Sequence, residues 1–355
     1  MNKSDSERIA TVLEKKGFQP ASKENEANLI VVNMCSVRQS AVDRVYGKIR
    51  DFANLKSQNS KLKTILTGCI LKKDKKNFSK SFDYIFNIKD LVKWLNILKP
   101  YKNYLEIQSK YSNNFSAFVP ISNGCNNFCS YCVVPYVRGP LVCRDHKGVL
   151  EEVKNVIKKG FKEVWLLGQN VNDYKSPINH ESNSRIFANK LEIDSRVINF
   201  AKLLKMVNSI PSDFKFFFVS PHPKNFSDEL IDTLAQCKKF GKYLNLPVQS
   251  GDNGILKKMN RNYTVKEYQR LVKKIRKKIP GIKLSTDIIV GFPGETKKQF
   301  ENTVKLFKEI KFNMAYIAKY SPRPETAAFK LRDDVPLSEK KRREKILREL
   351  IHPVK

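Results

Sequence analysis

Cys125, Cys129 and Cys132 fall within eight residues, in the run Asn123-Gly124-Cys125-Asn126-Asn127-Phe128-Cys129-Ser130-Tyr131-Cys132. The C-x3-C-x2-C spacing supplies three thiolates to one point in space. A structural zinc site takes four ligands, usually from paired C-x2-C or Cys/His arms, and no second pair lies nearby. Three thiolates suit a 4Fe–4S cubane whose fourth iron stays open for a substrate or cofactor. A zinc knuckle completed by a distant ligand is the alternative reading. The sequence shows no secretory signal pattern and its cysteines number seven. A reducing, cytoplasmic setting is therefore expected in place of disulfides.

Other chemistry has little to stand on. The four histidines, His146, His180, His222 and His352, sit in no H-E-x-x-H or triad-like setting. The net charge of +32 favours a polyanion such as RNA or DNA. Part of that excess belongs to a Lys-, Asn- and Ile-rich composition of the kind AT-biased genomes dictate. The lysine runs Lys72-Lys73-Asp74-Lys75-Lys76 and Lys273-Lys274-Ile275-Arg276-Lys277-Lys278 fit solvated faces at least as well as RNA contacts. No apolar stretch approaches the ~20 residues of a membrane span.

The elements that must carry the cysteines fall into two strand-rich stretches. Leu29–Met34, Thr64–Thr67 and Tyr84–Ile88 are apolar, β-branched runs, separated by helical patterns at Ser4–Gly17, Ser40–Leu55 and Ile88–Leu98. That alternation predicts a parallel α/β sheet. Functional groups gather at the carboxyl ends of such strands, where Cys35 and Cys69 fall, so the two can meet in space. Beyond the polar stretch Ser109–Ser116, six more strands are expected: Ala117–Ser122, Glu163–Gln169, Lys215–Ser220, Tyr243–Gln249, Lys283–Val290 and Ala315–Tyr320. Helices are expected between them at Lys147–Lys159, Phe200–Ser209, Ser227–Cys237, Thr264–Lys278 and Lys297–Ile310. Six βα units make an open, partial (β/α)6 TIM-type barrel, with Cys125–Cys132 in the loop after its first strand, at the active-site face. Residues 171–199 read as a long polar insertion. Leu337–Leu350 reads as a charged helix with Glu339/Arg343 and Glu344/Arg348 at i,i+4 spacing.

Tyr131, just before the last cysteine, completes a signature that resembles the radical S-adenosylmethionine (SAM) enzymes. Further strings resemble the methylthiotransferase branch of that superfamily. They are Asn33-Met34-Cys35-Ser36-Val37-Arg38, Thr67-Gly68-Cys69, Leu167-Gly168-Gln169-Asn170-Val171-Asn172, Ser220-Pro221-His222-Pro223, Leu246-Pro247-Val248-Gln249-Ser250-Gly251, Met259-Asn260-Arg261, Asp287 to Thr296, and Tyr320-Ser321-Pro322-Arg323-Pro324. The Cys-Ser-Val-Arg and Gly-Gln-Asn-Val-Asn strings are similar to the MiaB-type tRNA methylthiotransferases. Two relatives stay open, one acting on threonylcarbamoyladenosine in tRNA and the other on an aspartate of a ribosomal protein.

The resemblance implies methylthiolation of C2 of N6-dimethylallyladenosine at tRNA position 37, in the anticodon loop. No side-chain base removes an sp2 C–H hydrogen, so the hard step is delegated to cofactors. A 4Fe–4S cluster on Cys125, Cys129 and Cys132 would hold SAM and cleave it reductively. A second 4Fe–4S cluster, with Cys35 and Cys69 among its ligands, would deliver the sulfur. The resemblance further assigns SAM contacts to Tyr131, Gly168, Gln169, Ser220, Gln249, Ser250, Arg261 and Gly291, and it implies an electron donor such as flavodoxin or ferredoxin. A monomer with no membrane association is expected, and Cys143 and Cys237 are expected to stay unligated.

Two departures bear on these expectations. The family's first auxiliary ligand lies in a Gly-Cys-Gln-Met-Asn string, and this sequence opens Met1-Asn2-Lys3-Ser4-Asp5-Ser6-Glu7-Arg8, just past that cysteine. The first strand and a third auxiliary ligand are thus absent from the sequence as given. The expected division is residues 1–108 as the N-terminal methylthiotransferase domain, 109–330 as the radical SAM core and 331–355 as a charged helix leading to an absent tRNA-binding β-barrel. A basic, non-catalytic RNA-binding remnant is the competing reading.

Overall fold

The computed structural model describes residues 1–94, 103–111, 114–177 and 197–351. In chain order its strands are β1 (Leu29–Cys35), β2 (Lys63–Cys69), β3 (Tyr84–Ile85), β4 (Ser116–Pro120), β5 (Ser122–Asn123), β6 (Val142–Cys143), β7 (Glu163–Leu167), β8 (Lys175–Pro177), β9 (Val197–Asn199), β10 (Lys215–Phe218), β11 (Tyr243–Asn245), β12 (Lys283–Val290) and β13 (Met314–Lys319).

The first three strands form a parallel sheet in the order β1-β2-β3. Successive side chains of a strand point to opposite faces, and β2 shows the result. Ile65 joins a core with Ile9, Val12 and Leu91, while its neighbour Leu66 joins a separate core with Val42, Phe52 and Phe78. The helices Asn2–Lys15 and Gln39–Gln58 contribute the apolar stripes of those two cores. The register pairs Leu29 with Lys63 and runs without a bulge to Cys35 beside Cys69.

Six further strands build the second region. One sheet has the order β10-β7-β4 and the other β11-β12-β13, all parallel. Backbone bonds from Phe216 N to Lys239 O (2.9 Å) and from Gly241 N to Phe216 O (3.0 Å) join the two into one curved arc. Its core draws Val119, Val164, Phe216, Leu244, Ile288 and Ile317 from the six strands, packed against helices such as His146–Lys158 and Lys297–Ile310. This is the open six-unit barrel that the alternation predicts, and the cysteine trio follows β4 and β5 at the carboxyl face.

Some expected boundaries move for identifiable reasons. The fourth barrel strand stops at Asn245 and not Gln249, because Pro247 has no N–H to donate. Gln249 rejoins the sheet through a lone parallel bridge to Ile288. The third N-terminal strand ends at Ile85. Ile88–Asp90 is a 3-10 turn followed by a helix at Leu91–Trp94, and residues 95–98 of the expected helix lie outside the described residues. Within the expected polar insertion β8 and β9 pair antiparallel, and residues 178–196 lie outside the described ones. His180 and His352 also lie outside them. Short helices at Lys72–Phe78, Val134–Arg138 and Asn253–Lys258 add to the expected set. The helix Leu337–Ile351 carries the expected pairs, Arg343 to Glu339 and Arg348 to Glu344, each at 2.8 Å. Among the described residues no helix is long and apolar enough to cross a membrane.

The two regions are joined by buried ion pairs. Arg8, fully buried on the first helix, donates to Glu152 of the barrel (3.0 Å), which also accepts from Arg144 and from the Tyr111 hydroxyl. From the barrel side, Arg138 reaches Asp5 at 2.6 Å, and Arg323 donates to Gln39.

Candidate functional site

The cysteine loop is held from several directions by backbone geometry. Gly124 has φ +83, and a Cβ there would stand 2.1 Å from Pro140 O, so only glycine lets the chain turn. Its N–H donates to Gln169 Oε1 at 2.6 Å. Ser130 donates from its N–H to Met259 O (3.0 Å) and from its hydroxyl to Lys258 O (2.8 Å), while its carbonyl accepts from Ala328 N (2.7 Å). Tyr131 packs on the apolar cluster of Ile255, Met259, Phe292, Tyr320 and Ala328. Loops from three strand ends therefore fix where the thiols stand.

The three thiols lie within electrostatic reach of one another. Burial pushes Cys132 up to about 12, and charge on Cys129 and Cys125 would push it the same way. Burial also raises Cys125, with Cys129 adding to the rise. Loading iron onto such thiols releases their protons. Arg261 offers the Cys129 sulfur an N–H at 3.6 Å. Among the described residues no three His, Cys, Asp or Glu side chains converge as the ligands of one metal ion. A cubane asks for something different, since its cysteines bind separate irons and their sulfurs stand apart. The donor set and its loop fit such a cluster.

Cys35 and Cys69 are direct partners in the parallel ladder, at the carboxyl ends of β1 and β2. Cys69 is buried and shares a small apolar cluster with Leu71, Val133 and Val137. Val133 follows Cys132 directly, so this strand end abuts the segment that leaves the cysteine trio. Arg138 Nε donates to Cys69 Sγ at 2.9 Å. Burial pushes the Cys69 thiol up to about 11 against the opposing pull of Arg138.

The remaining expected residues divide. Ser220 (φ 61) and Gln249 (φ 72) hold left-handed backbone at strand ends, a conformation that non-glycine residues keep only where the surroundings impose it. Gln169 Nε2 is buried without a partner, as is Ser122 Oγ. Ser250 is fully buried, and its hydroxyl accepts from Asp252 N. Gly168 packs against the first barrel strand, since a Cβ there would meet Ser122 Oγ at 2.5 Å. The donors of Arg261 serve Pro247 O (2.6 Å), the Tyr263 hydroxyl (2.9 Å) and Cys129, so it braces the loop, and among the described residues no carboxylate pairs with it. Gly291 is explained by the helix Leu337–Ile351: Lys340 lies over it, and its N–H goes to Glu295 at 2.6 Å. Cys143 accepts a backbone N–H from Lys175, and Cys237 caps the helix Asp228–Gln236.

Three polar residues enter that sequence reasoning did not single out. His222 is buried, with Nδ1 accepting from Lys224 N at 3.2 Å and Nε2 unpartnered. Burial, reinforced by Arg261, drives its pKa down to about 3, so the ring is neutral with its proton on Nε2. Arg138 touches Cys69, Asn123 and Asp5 at once. Arg323, 4% exposed, has Nε and one terminal nitrogen without hydrogen-bond partners, that nitrogen standing 3.8 Å from Asp74 Oδ2.

A partial parallel barrel with a cysteine trio after its first strand defines a radical SAM enzyme. Residues 119–307 match the radical SAM superfamily, and residues 1–88 match the uncharacterized protein family UPF0004. The radical S-adenosylmethionine methyltransferase TsrM from Kitasatospora setae, solved with cobalamin and a 4Fe–4S cluster bound, superposes with a TM-score of 0.59. It is 14% identical, over 91% of this chain and 73% of that one. The cobalamin-dependent S-adenosylmethionine radical enzyme OxsB superposes with a TM-score of 0.58 at 11% identity, over 98% of this chain and 52% of that one.

The tRNA-2-methylthio-N(6)-dimethylallyladenosine synthase of Clostridium novyi (strain NT) is 39% identical across 95% of this chain and 75% of its own length. That of Carboxydothermus hydrogenoformans is 38% identical across 99% and 80%. The chain belongs to this family, the MiaB-type tRNA methylthiotransferases. It is a radical SAM enzyme that uses an iron–sulfur cluster and SAM.

Proposed function

We propose that the protein transfers a methylthio group to C2 of N6-dimethylallyladenosine at position 37 of tRNA. In this reading Cys125, Cys129 and Cys132 hold the SAM-binding cluster, while Cys35 and Cys69 are ligands of an auxiliary one. Residues 1–108 carry the auxiliary site and 109–330 the SAM site. The observation that supports it most is the placement of Cys35 beside Cys69, walled by Val133 and Val137 against the segment that leaves the trio. A sulfur source and a radical source need that adjacency, because the activated carbon must meet sulfur before water or a stray hydrogen donor does.

A 4Fe–4S cluster held by Cys125, Cys129 and Cys132 would supply the electron for reductive cleavage of SAM. The chain's own residues do the positioning. Gln169 braces Gly124 and leaves Nε2 free toward the strand ends. The neutral His222 presents an N–H with no protein partner, suited to a ribose hydroxyl or carboxylate of SAM. Arg261 fixes Cys129 from one side. Arg138 stabilises negative charge on Cys69 and ties it to Asn123, two residues before Cys125.

The test is iron and acid-labile sulfide per chain after anaerobic reconstitution, with a Cys125/Cys129/Cys132 triple-alanine control. About eight irons falling to about four in the control support two clusters. About four falling to none refute the auxiliary assignment. Incubation with anticodon stem–loops with and without the dimethylallyl group, read by mass spectrometry, tests the substrate.

A further inference from the structure

Phe128 lies inside the cysteine loop with φ 45, in the left-handed region that bulky residues avoid. Asn260, itself at φ 55, holds it there by donating from Nδ2 to Phe128 O at 3.0 Å. The turn leaves the Phe128 ring 54% exposed. Tyr136, on the helix Val134–Arg138, is 44% exposed beside it, with ring centroids 6.4 Å apart and planes at 82°. An aromatic pair left in water beside a reaction centre contributes little to folding, because exposed rings forgo burial.

The elements packed against the cysteine loop are basic. The cysteine loop is sandwiched between the end of the helix Asn253–Lys258 and the turn Ala327–Lys330, through the bonds of Ser130 to Lys258 O and from Ala328 N. Those two elements carry Lys257, Lys258 and Lys330, all exposed, and among the described residues none of the three has an ion-pair partner. An exposed aromatic pair on a loop whose two flanking elements carry exposed lysines matches a base flanked by phosphates. An acidic protein partner would satisfy the lysines and leave the rings unexplained.

We propose that Phe128 and Tyr136 form a stacking site for an unpaired RNA base next to the modified adenosine, with Lys257, Lys258 and Lys330 on the adjoining phosphates. This rests on the reading above that the substrate is tRNA, and it adds the part of the protein surface that holds the RNA open. Sequence-tolerant stacking suits a loop whose bases are already splayed.

The test is fluorescence anisotropy of the reconstituted full chain with a labelled anticodon stem–loop, intact or abasic at each nucleotide flanking the target adenosine. Phe128→Ala and Tyr136→Ala are each expected to weaken binding of intact RNA by about 10-fold. Phe128→Trp should restore it. One abasic RNA should bind the wild type more weakly and lose nothing further with either alanine. Iron content serves as the check on the loop. If Phe128→Ala loses iron, Tyr136→Ala, four residues beyond Cys132, carries the comparison. Equal losses on intact and all abasic RNAs, or no loss at all, would overturn the stacking site. Unchanged RNA affinity with slower reduction by an acidic electron-transfer protein would assign the patch to that partner and overturn it too. Non-additivity in a chain that forms no methylthio product would uphold the stacking site while the proposed reaction failed.

Discussion

Replacing Arg138 with methionine removes one guanidinium whose every nitrogen is committed. Its Nε donates to Cys69 Sγ at 2.9 Å, and one terminal nitrogen serves Asn123 Oδ1 (2.9 Å) and the Tyr104 hydroxyl (3.1 Å). The other serves Asp5 Oδ2 at 2.6 Å. Both side chains of the Arg138–Asp5 pair are buried, at 2% and 0% exposure. Asp5 Oδ1 already lacks a hydrogen-bond partner, so the variant strands a buried carboxylate whose remaining positive neighbour is the Met1 amino group, itself pulled down by burial. Truncating one member of a buried pair costs about 3–5 kcal/mol, most of it the penalty on the survivor. Neutralising both members removes that penalty. Asp5→Asn combined with Arg138→Met should therefore return to within about 1–2 kcal/mol of the wild type. The assay is urea unfolding of metal-free chain, since a bound cluster would add its own stabilisation. The two tryptophans report separately. Trp94 stacks on Phe86 in the N-terminal region, and Trp165 stacks on Phe217 in the barrel. Single-tryptophan backgrounds should show the loss first at Trp94. A loss below about 1 kcal/mol, or a double variant no better than the single, would refute the buried-pair argument.

Three further outcomes are expected. His222→Phe should weaken SAM binding about 10-fold, the worth of one hydrogen bond to a charged or polar group in a dry site, with little change in melting temperature. Because burial holds the ring near a pKa of about 3, wild-type binding should be flat from pH 6 to 8, and a break near ~6.5 would disprove the neutral donor. Burial raises the Asp83 carboxyl, but bonds from Lys56, Thr64 N and Thr64 Oγ1 outweigh it and hold the pKa at about 2. Its folded pKa lies below its unfolded one, so it contributes stability above about pH 4 that is lost as pH falls toward 2. Asp83→Asn should cost about 1–2 kcal/mol at pH 7 after discounting for partial exposure, with the gap closing under acid titration. Gly68→Ala places a Cβ 2.2 Å from Met34 O at φ +106, and chemical denaturation should show a loss of about 2 kcal/mol or more.

The barrel was legible because each βα unit repeats one local pattern. An apolar run such as Lys283–Val290 bounded by polar turns can only be a buried strand, and the structure places it as β12 with the same ends. The meeting of Cys35 and Cys69 was legible for a related reason, since parallel strands of equal register bring their carboxyl ends together. Arg138, Arg323 and His222 were not. A polar side chain gains its role from what approaches it through the fold, and neither spacing nor periodicity encodes Asp5 coming to Arg138 from 133 residues away. Gly291 shows the converse. Its turn reads as a ligand loop, and the structure adds a second constraint, since besides its φ of +66 the glycine lies under Lys340, in a helix read only for its charge pairs. Val134–Arg138 was missed because five residues opening on a proline carry too little periodicity to register.

The two cysteine sites are built differently, and the difference follows from what each has to do in the proposed reaction. Cys35 and Cys69 stand on adjacent strands whose ladder fixes the backbone, and two buried arginines of the barrel come to this end of the sheet, Arg138 donating to Cys69 and Arg323 standing 3.8 Å from Asp74, which accepts from the Ser36 hydroxyl beside Cys35. Each arginine is held by a residue of the N-terminal region, Asp5 in one case and Gln39 in the other. Docking the two regions thus brings positive charge to the strand ends, where thiolates and any bound anionic sulfur need it. Arg138 belongs to the barrel, so its bond to Cys69 forms only when the two regions are docked. The trio instead sits on a loop tied by Gln169, Lys258, Met259 and Ala328. In the proposed reaction the strand ladder would hold the sulfur source fixed, while the loop that carries the trio would receive SAM and the nucleotide.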